Sequence, residues 1–355
     1  MASDQRMLQI LLLTALATSA AGGNADASHR HLVPTTYEAG HFYAIGITTG
    51  DKTLRLLVDS GGAGGSGLYV IDPDAVLRVG LKTRSCLLDG QKLDVIATIP
   101  FARDKGWPKS TDTPCDATAL VVQGIGNAAL GDGIIGAGYM PRHVWTFDYP
   151  ARRLWLEPAD WKSHAGMRRA ELGYQRNRMG HWGTGFARLR VRVAGKPLDL
   201  LLDTGATGKP TKVGEAASHA PTLNGHGVAS YITTQVLEQW HREHPDWPVI
   251  EAGDNLSGDR QATRLIEVPT LQVAGWTIGP VWFTERADSN FHDAISRYTD
   301  KRVEGAAGAN IFSHFVMTID YPHGDVWFAC ASGCRATTDA SMDSRSVEAA
   351  ASRTP

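Results

Sequence analysis

One short stretch occurs twice in this chain, and the repetition limits what the chain can fold into. Residues 56–61 read Leu-Leu-Val-Asp-Ser-Gly, and residues 200–205 read Leu-Leu-Leu-Asp-Thr-Gly. Each is a short apolar run, as expected of a buried strand, ending in Asp-[Ser/Thr]-Gly. One such tripeptide means little, because turns are rich in Asp, Ser, Thr and Gly. Two copies, each behind three aliphatic residues, mean more. At the fixed offset 203 − 59 = 144, Phe42 falls on Phe186, Lys52 on Lys196 and Leu54 on Leu198, with no gap.

A second pair of blocks follows. Ile134-Ile135-Gly136 aligns with Ala306-Ala307-Gly308, and Thr146-Phe147-Asp148-Tyr149-Pro150 with Thr318-Ile319-Asp320-Tyr321-Pro322. Trp155 aligns with Trp327, and the offset is 320 − 148 = 172. The second copy therefore holds 172 − 144 = 28 extra residues between its blocks. The unit is far longer than a solenoid repeat, so this is a duplicated domain.

The blocks resemble the aspartic peptidases of the pepsin and retropepsin type. Those carry aliphatic-aliphatic-Asp-[Ser/Thr]-Gly and then aliphatic-aliphatic-Gly, once per lobe. The resemblance spans roughly residues 40 to 330. It implies an all-β, bilobal acid-protease fold: two duplicated β lobes with a cleft between them. It also implies a catalytic pair, Asp59 and Asp203, with Ser60, Gly61, Thr204 and Gly205 supporting the active loops. Ser60 and Thr204 would brace the loops across the axis, and Gly61 and Gly205 would allow close backbone approach. Asp148 and Asp320 read as structural turn residues. Two features depart from the family. Gly62 stands where Ala, Ser or Thr is usual, and the small Ala306-Ala307 pair implies looser packing under the second loop.

The chemistry such a pair performs needs no metal, cofactor or nucleophilic side chain. Two carboxylates at close range cannot both ionise, so they share a proton. The ionised partner takes a proton from a water, and the protonated one hydrogen-bonds the scissile carbonyl. With one Asp per lobe, a two-fold axis within one chain unites them, and a monomer suffices. The expected partner is a peptide or protein substrate. The contrasting expectation is a catalytically decayed peptide-binding or inhibitor-like protein of the same shape. Neither Gly62 nor Ala206 offers the hydroxyl that in this family lowers the pKa of the neighbouring Asp. The active window should accordingly move towards neutral pH.

Other chemistries find little support. Gly61-Gly62-Ala63-Gly64-Gly65 lacks a following Gly-Lys-[Ser/Thr], and Gly208-Lys209-Pro210-Thr211 also fails as a phosphate loop. His241-Arg242-Glu243-His244 is not His-Glu-x-x-His, and no third metal ligand is evident. No Gly-x-Ser-x-Gly elbow occurs. A formal net charge of −2 gives no basic footprint for nucleic acid and no polybasic membrane patch.

The organisation follows the duplication. Residues 1–27 read as an export signal. Arg6 precedes the apolar run Met7–Ala20, and Ala25-Asp26-Ala27 offers a cleavage site. An uncleaved anchor is the alternative, although a span needs ~20 apolar residues. Once the signal is removed, no membrane insertion and a periplasmic or secreted location are expected. About a dozen residues then precede the first strand, which leaves no room for a long inhibitory pro-segment. Residues 36–160 form the first lobe, 161–183 a linker, 184–330 the second lobe, and 331–355 a disordered tail.

Phe42–Thr48 and Leu54–Asp59 read as a strand pair around a Thr49–Lys52 turn. In the second copy Leu189, Val191 and Val193 alternate with Arg188, Arg190 and Arg192, which predicts a strand with its arginines in water. Asp74–Leu81 and Val228–Glu243 read as helices. A substrate-covering hairpin is expected within 84–126, with Phe101 and Trp107 as either its aromatic contacts or core. Four cysteines in an exported chain imply disulfides. Cys86 with Cys115 and Cys330 with Cys334 is the local pairing; the other two connectivities would tie the lobes together.

Overall fold

The computed structural model describes residues 29–62, 67–88, 90–125, 131–176, 184–256, 258 and 262–337. The expected signal and residues 338–355 of the expected tail lie outside them.

Each copy of the repeat builds the same unit. Strand His41–Ile47 turns at Gly50-Asp51 and returns antiparallel as Thr53–Asp59. The returning strand becomes continuously apolar because both its faces are covered: Leu54, Leu56, Leu57 and Val58 are all fully buried. It runs parallel to Gly133–Gly136, with Leu57 opposite Ile134 and Asp59 opposite Gly136. Gly133–Gly136 pairs antiparallel with Tyr69–Ile71, which runs parallel to Ala119–Val121. The second copy repeats this pattern. Arg188–Val193 pairs with Lys196–Leu202, and Leu201 stands opposite Ala306 in parallel. Gly305–Ala307 then pairs with Ser230–Thr233, which is parallel to Val281–Arg286. The fold is all-β and two-lobed, one lobe from each copy.

A six-strand section joins the lobes. Its central pair is Val144–Asp148 against Phe315–Asp320, antiparallel, with Thr146 opposite Thr318. These two residues occupy the same position in the two copies, so the pseudo-two-fold axis passes between them. Their hydroxyls are 2.8 Å apart and hydrogen-bonded.

The register locates the extra residues of the second copy. Val70 and Tyr231 hold equivalent places, opposite Ile134 and Ala306. Their separation, 231 − 70 = 161, exceeds 144 by 17. Seventeen of the 28 extra residues therefore fall between Asp203 and Tyr231. That stretch holds Thr207–Gly208, helix Lys212–Ser218 and Gly227–Val228, the two short strands pairing with each other. Thr211 caps the helix by accepting from the amide of Gly214.

Several expectations are corrected. Met167–Gly173, inside the expected linker, is a strand paired with Asp325–Cys330 and Arg188–Val193. Its middle residues Arg168, Arg169 and Glu171 hide the pattern. Arg169 pairs with Asp325, and Arg168 lies over the Trp276 ring, so these charges are anchored at a sheet surface. The expected helix from Val228 begins only at Thr234, since Ser230–Thr233 is needed as a strand beside Gly305–Ala307. Arg188 is not in water but 9% exposed, bonded to Asp300 through Nε and Nη2 and to Asp199 through Nη1. Arg335–Ala336, in the expected tail, pairs with Trp276 and Thr277. Both disulfides are the local ones, Cys86–Cys115 and Cys330–Cys334. Phe101 and Trp107 pack on each other in the first lobe's core, with Trp107 5% exposed. Among the described residues no helix is long and apolar enough to cross a membrane.

Candidate active site

Asp59 ends strand Thr53–Asp59 and Asp203 directly follows strand Lys196–Leu202, each two residues before a Gly. The axis brings these ends together. Ser60 and Thr204 are 0% and 2% exposed and lock the loops reciprocally. The Ser60 amide donates to Thr204 Oγ1 (3.0 Å), which donates to the Val58 carbonyl (2.9 Å). The Thr204 amide donates to Ser60 Oγ (3.0 Å), which donates to the Leu202 carbonyl (2.8 Å). Four hydrogen bonds, all buried and crossing between the lobes, hold the two loops together.

The glycines are set by the opposite Asp rather than by their own turn. A β-carbon on Gly61 would lie 2.3 Å from Cγ of Asp203, and one on Gly205 2.2 Å from Cγ of Asp59. The two carboxyl groups face one another closely enough for each to perturb the other's ionisation. Each also accepts from its own loop: Gly61 N–H reaches Asp59 Oδ1 at 3.0 Å, and Gly205 N–H reaches Asp203 Oδ1 at 3.1 Å. Both Asp residues are 8% exposed. Burial raises the pKa of Asp59 above the usual carboxylate value. Burial, and then the charge of Asp59, raise that of Asp203 well above it. Such a pair holds one proton over a wide pH range.

The two departures from the family pattern take on a physical meaning. A β-carbon on Gly62 would lie 2.0 Å from Asp59 Oδ2, so this loop conformation requires glycine. The Gly62 and Ala206 amides donate to the backbone carbonyls of Asp59 and Asp203, at 3.2 and 3.4 Å, and lie near enough to the carboxyls to favour their ionised forms. Ala306 and Ala307 are both 0% exposed, so the site beneath the second loop is not loosely packed. Phe186, Phe291 and Tyr231 fill the space that larger residues would occupy around Ala306.

Sequence reasoning missed the surroundings of the second loop. Tyr231 OH donates to the Thr207 carbonyl (2.6 Å) and accepts from the Thr207 amide (2.8 Å). The guanidinium of Arg286 covers the Tyr231 ring at 4.5 Å and pairs with buried Asp254 at 3.0 Å. His41, from the first lobe, touches the same loop. The 28-residue length difference was the signal that this side is built differently, but it did not say where. A cavity of about 290 Å³ flanks the inserted segment, lined by Gly208, Pro210, Val228, Trp282, Asn310 and, from the first lobe, Tyr37. Neither Asp lines it. Among the described residues no group of three or more His, Cys, Asp or Glu could hold a metal ion. His244 stacks on Trp247 with ring centroids 4.2 Å apart.

No family model matches the chain, and no curated protein matches it. Among solved structures, it is similar to basic 7S globulin from soybean at 11% identity, over 86% of this chain and 95% of that one, with a TM-score of 0.42. It is also similar to an aspartic proteinase from Irpex lacteus at 12% identity, over 86% of this chain and 98% of that one, with a TM-score of 0.39.

Proposed function

We propose that the protein is an aspartic endopeptidase that hydrolyses peptide bonds with water activated by Asp59 and Asp203. The observation that supports this most is the pair of buried carboxyl groups meeting on a pseudo-two-fold axis, each pressed against the Gly of the opposite loop. In this reading Asp59 and Asp203 share one proton. The ionised carboxyl removes a proton from water, and the new hydroxide attacks the scissile carbonyl carbon. The protonated carboxyl donates to the carbonyl oxygen as it gains charge. Collapse of the tetrahedral intermediate breaks the C–N bond, and the proton taken from water passes to the leaving amine. Ser60 and Thr204 hold the loops so that nothing reorganises during these steps.

The two disulfides support export to an oxidising compartment, the periplasm or the exterior, after removal of the N-terminal signal. The intrachain axis supports action as a monomer. The test is turnover of a mixed peptide library by the purified protein lacking residues 1–27, with and without a statine-type transition-state analogue. Cleavage blocked by the analogue is expected. Peptides retained but uncut would replace the proposal with a peptide-binding role.

A further inference from the structure

His41 belongs to the first lobe, yet its imidazole lies against the active loop of the second. Nε2 is 3.2 Å from the Ala206 carbonyl oxygen and 3.2 Å from Thr207 Oγ1. The carbonyl can only accept. The Thr207 hydroxyl gives its own proton to the Gly205 carbonyl at 2.8 Å, so it too accepts from His41. Nε2 must therefore carry a proton, and the geometry fixes the tautomer. The backbone beside it is also joined to the first lobe, because the Val228 amide donates to the Ala39 carbonyl at 3.2 Å.

This joint has no counterpart across the axis. The position equivalent to His41 is 41 + 144 = 185, a glycine. A β-carbon there would lie 1.9 Å from the Ala137 carbonyl oxygen, so no side chain fits. Among the described residues, only the loop that carries Asp203 receives a side-chain brace of this kind from the other lobe.

We propose that His41 is a positioning residue for Asp203: its neutral imidazole joins the two lobes at the Gly205–Thr207 loop, and a second proton on the ring releases that joint. The consequence for turnover rests on the peptidase reading; the brace itself does not. The ring is 2% exposed, so an imidazolium there would lose most of its hydration. The groups facing it do not compensate. Arg55 on the adjoining strand and His226 on the inserted segment both oppose a positive charge. Glu38, the nearby carboxylate, is committed to Arg55. The Tyr43 ring meets the imidazole edge-on at 6.2 Å, and the dyad at the far end of the loop shares its charge with a proton. Burial accordingly holds His41 down to about 4. The carbonyls of Ala206 and Gly205 pull the other way, less strongly.

The experiment is hydrogen exchange of the amides of residues 204–208, corrected for intrinsic rates, across the pH range from neutral to below about 4. It compares wild type with His41→Gln and His41→Phe. Gln keeps an N–H donor that cannot be protonated further, and Phe has none. Exchange in the Arg188–Val193 strand controls for global opening. Wild type should be protected at neutral pH and lose roughly tenfold protection as His41 protonates. The Gln variant should stay protected throughout, and the Phe variant should be unprotected throughout. If the Phe protein does not fold, Gln against wild type decides alone. Loss of protection in the Gln variant at the same pH as wild type would overturn the proposal. So would equal protection of all folded proteins at every pH. In kinetics the Gln variant should extend the acid limb of kcat with little change in KM. If no protein turns over any peptide, the peptidase reading fails while the exchange result still judges His41.

Discussion

The carboxyl pair ties function to stability with opposite signs. Asp59→Asn and Asp203→Asn should each remove nearly all turnover, and the double variant should be hardly worse, because the two act as a unit. Both side chains have folded-state pKa values raised above the ordinary 3.8. The folded state thus binds the proton more tightly than the unfolded chain, and ionising the pair destabilises the fold as pH rises above 3.8. Asp203→Asn should therefore raise the melting temperature at neutral pH, with the gain vanishing below the unfolded value. Thermal unfolding across pH checks this, and a melting temperature lowered at neutral pH would refute it. On the peptidase reading, the same raised pKa values move the active window, where one proton is shared, towards neutral pH. Ala206→Thr would add a hydroxyl donor near Asp203 and should move the kcat/KM profile to lower pH. A wild-type optimum in strong acid, or no acid shift in that variant, would show that burial or other neighbours set these pKa values.

At the scale of elements, the joint between the lobes is testable through its axial residues. Thr146 and Thr318 are 2% and 1% exposed and satisfy one another. Replacing one by Val leaves a buried hydroxyl without its partner, at a cost of ~1–3 kcal/mol. Replacing both removes the polar pair and should cost less than the sum of the single changes. Denaturant unfolding of the two single variants and the double one reads this directly; strict additivity would mean that the hydroxyls do not couple. The Cys86–Cys115 disulfide spans 29 residues and ties the Arg84–Leu88 strand to the loop before Ala119–Val121. Its removal by paired Ala substitution should cost ~2–4 kcal/mol. The Met167–Gly173 strand shows why some elements escape a sequence reading. A strand with one partly wet face and anchored charges has no apolar alternation to display.

For the whole molecule, buried histidines set the limit in acid. His41 and His143 are both pushed down to about 4, first by burial. A histidine with a lowered folded pKa binds fewer protons when folded. Its contribution is intact above the unfolded value of 6.5 and is lost as pH falls from there to about 4. The combined loss is of the order of a few kcal/mol. The dyad acts in the opposite direction over much of this range. Wild type should therefore lose less stability in acid than an Asp59→Asn/Asp203→Asn protein, while His41→Gln and His143→Phe should flatten the acid decline. Chemical denaturation at neutral pH and near pH 4 measures both trends, and equal acid losses in all variants would refute them.

The sequence by itself determined the duplication, the all-β class and the two Asp-[Ser/Thr]-Gly segments that the fold brings together. Those follow from one-dimensional regularities: an aliphatic run ending in Asp-[Ser/Thr]-Gly, a fixed offset, and the period of a half-buried strand. It could also favour the local disulfide pairing, since close cysteines meet readily whichever way the lobes pack. It could not say why residue 62 is Gly or why Ala306-Ala307 suffices. The first depends on a carboxylate 2.0 Å from a β-carbon that is not there, and the second on aromatic rings from three distant segments. Nor could it place the 17 inserted residues, because only the strand register opposite Ile134 and Ala306 divides the extra length. His41 was silent for the same reason. It is one polar residue at the start of a strand until the axis carries the other lobe's active loop against it, and contacts between distant segments leave no periodic trace in the chain.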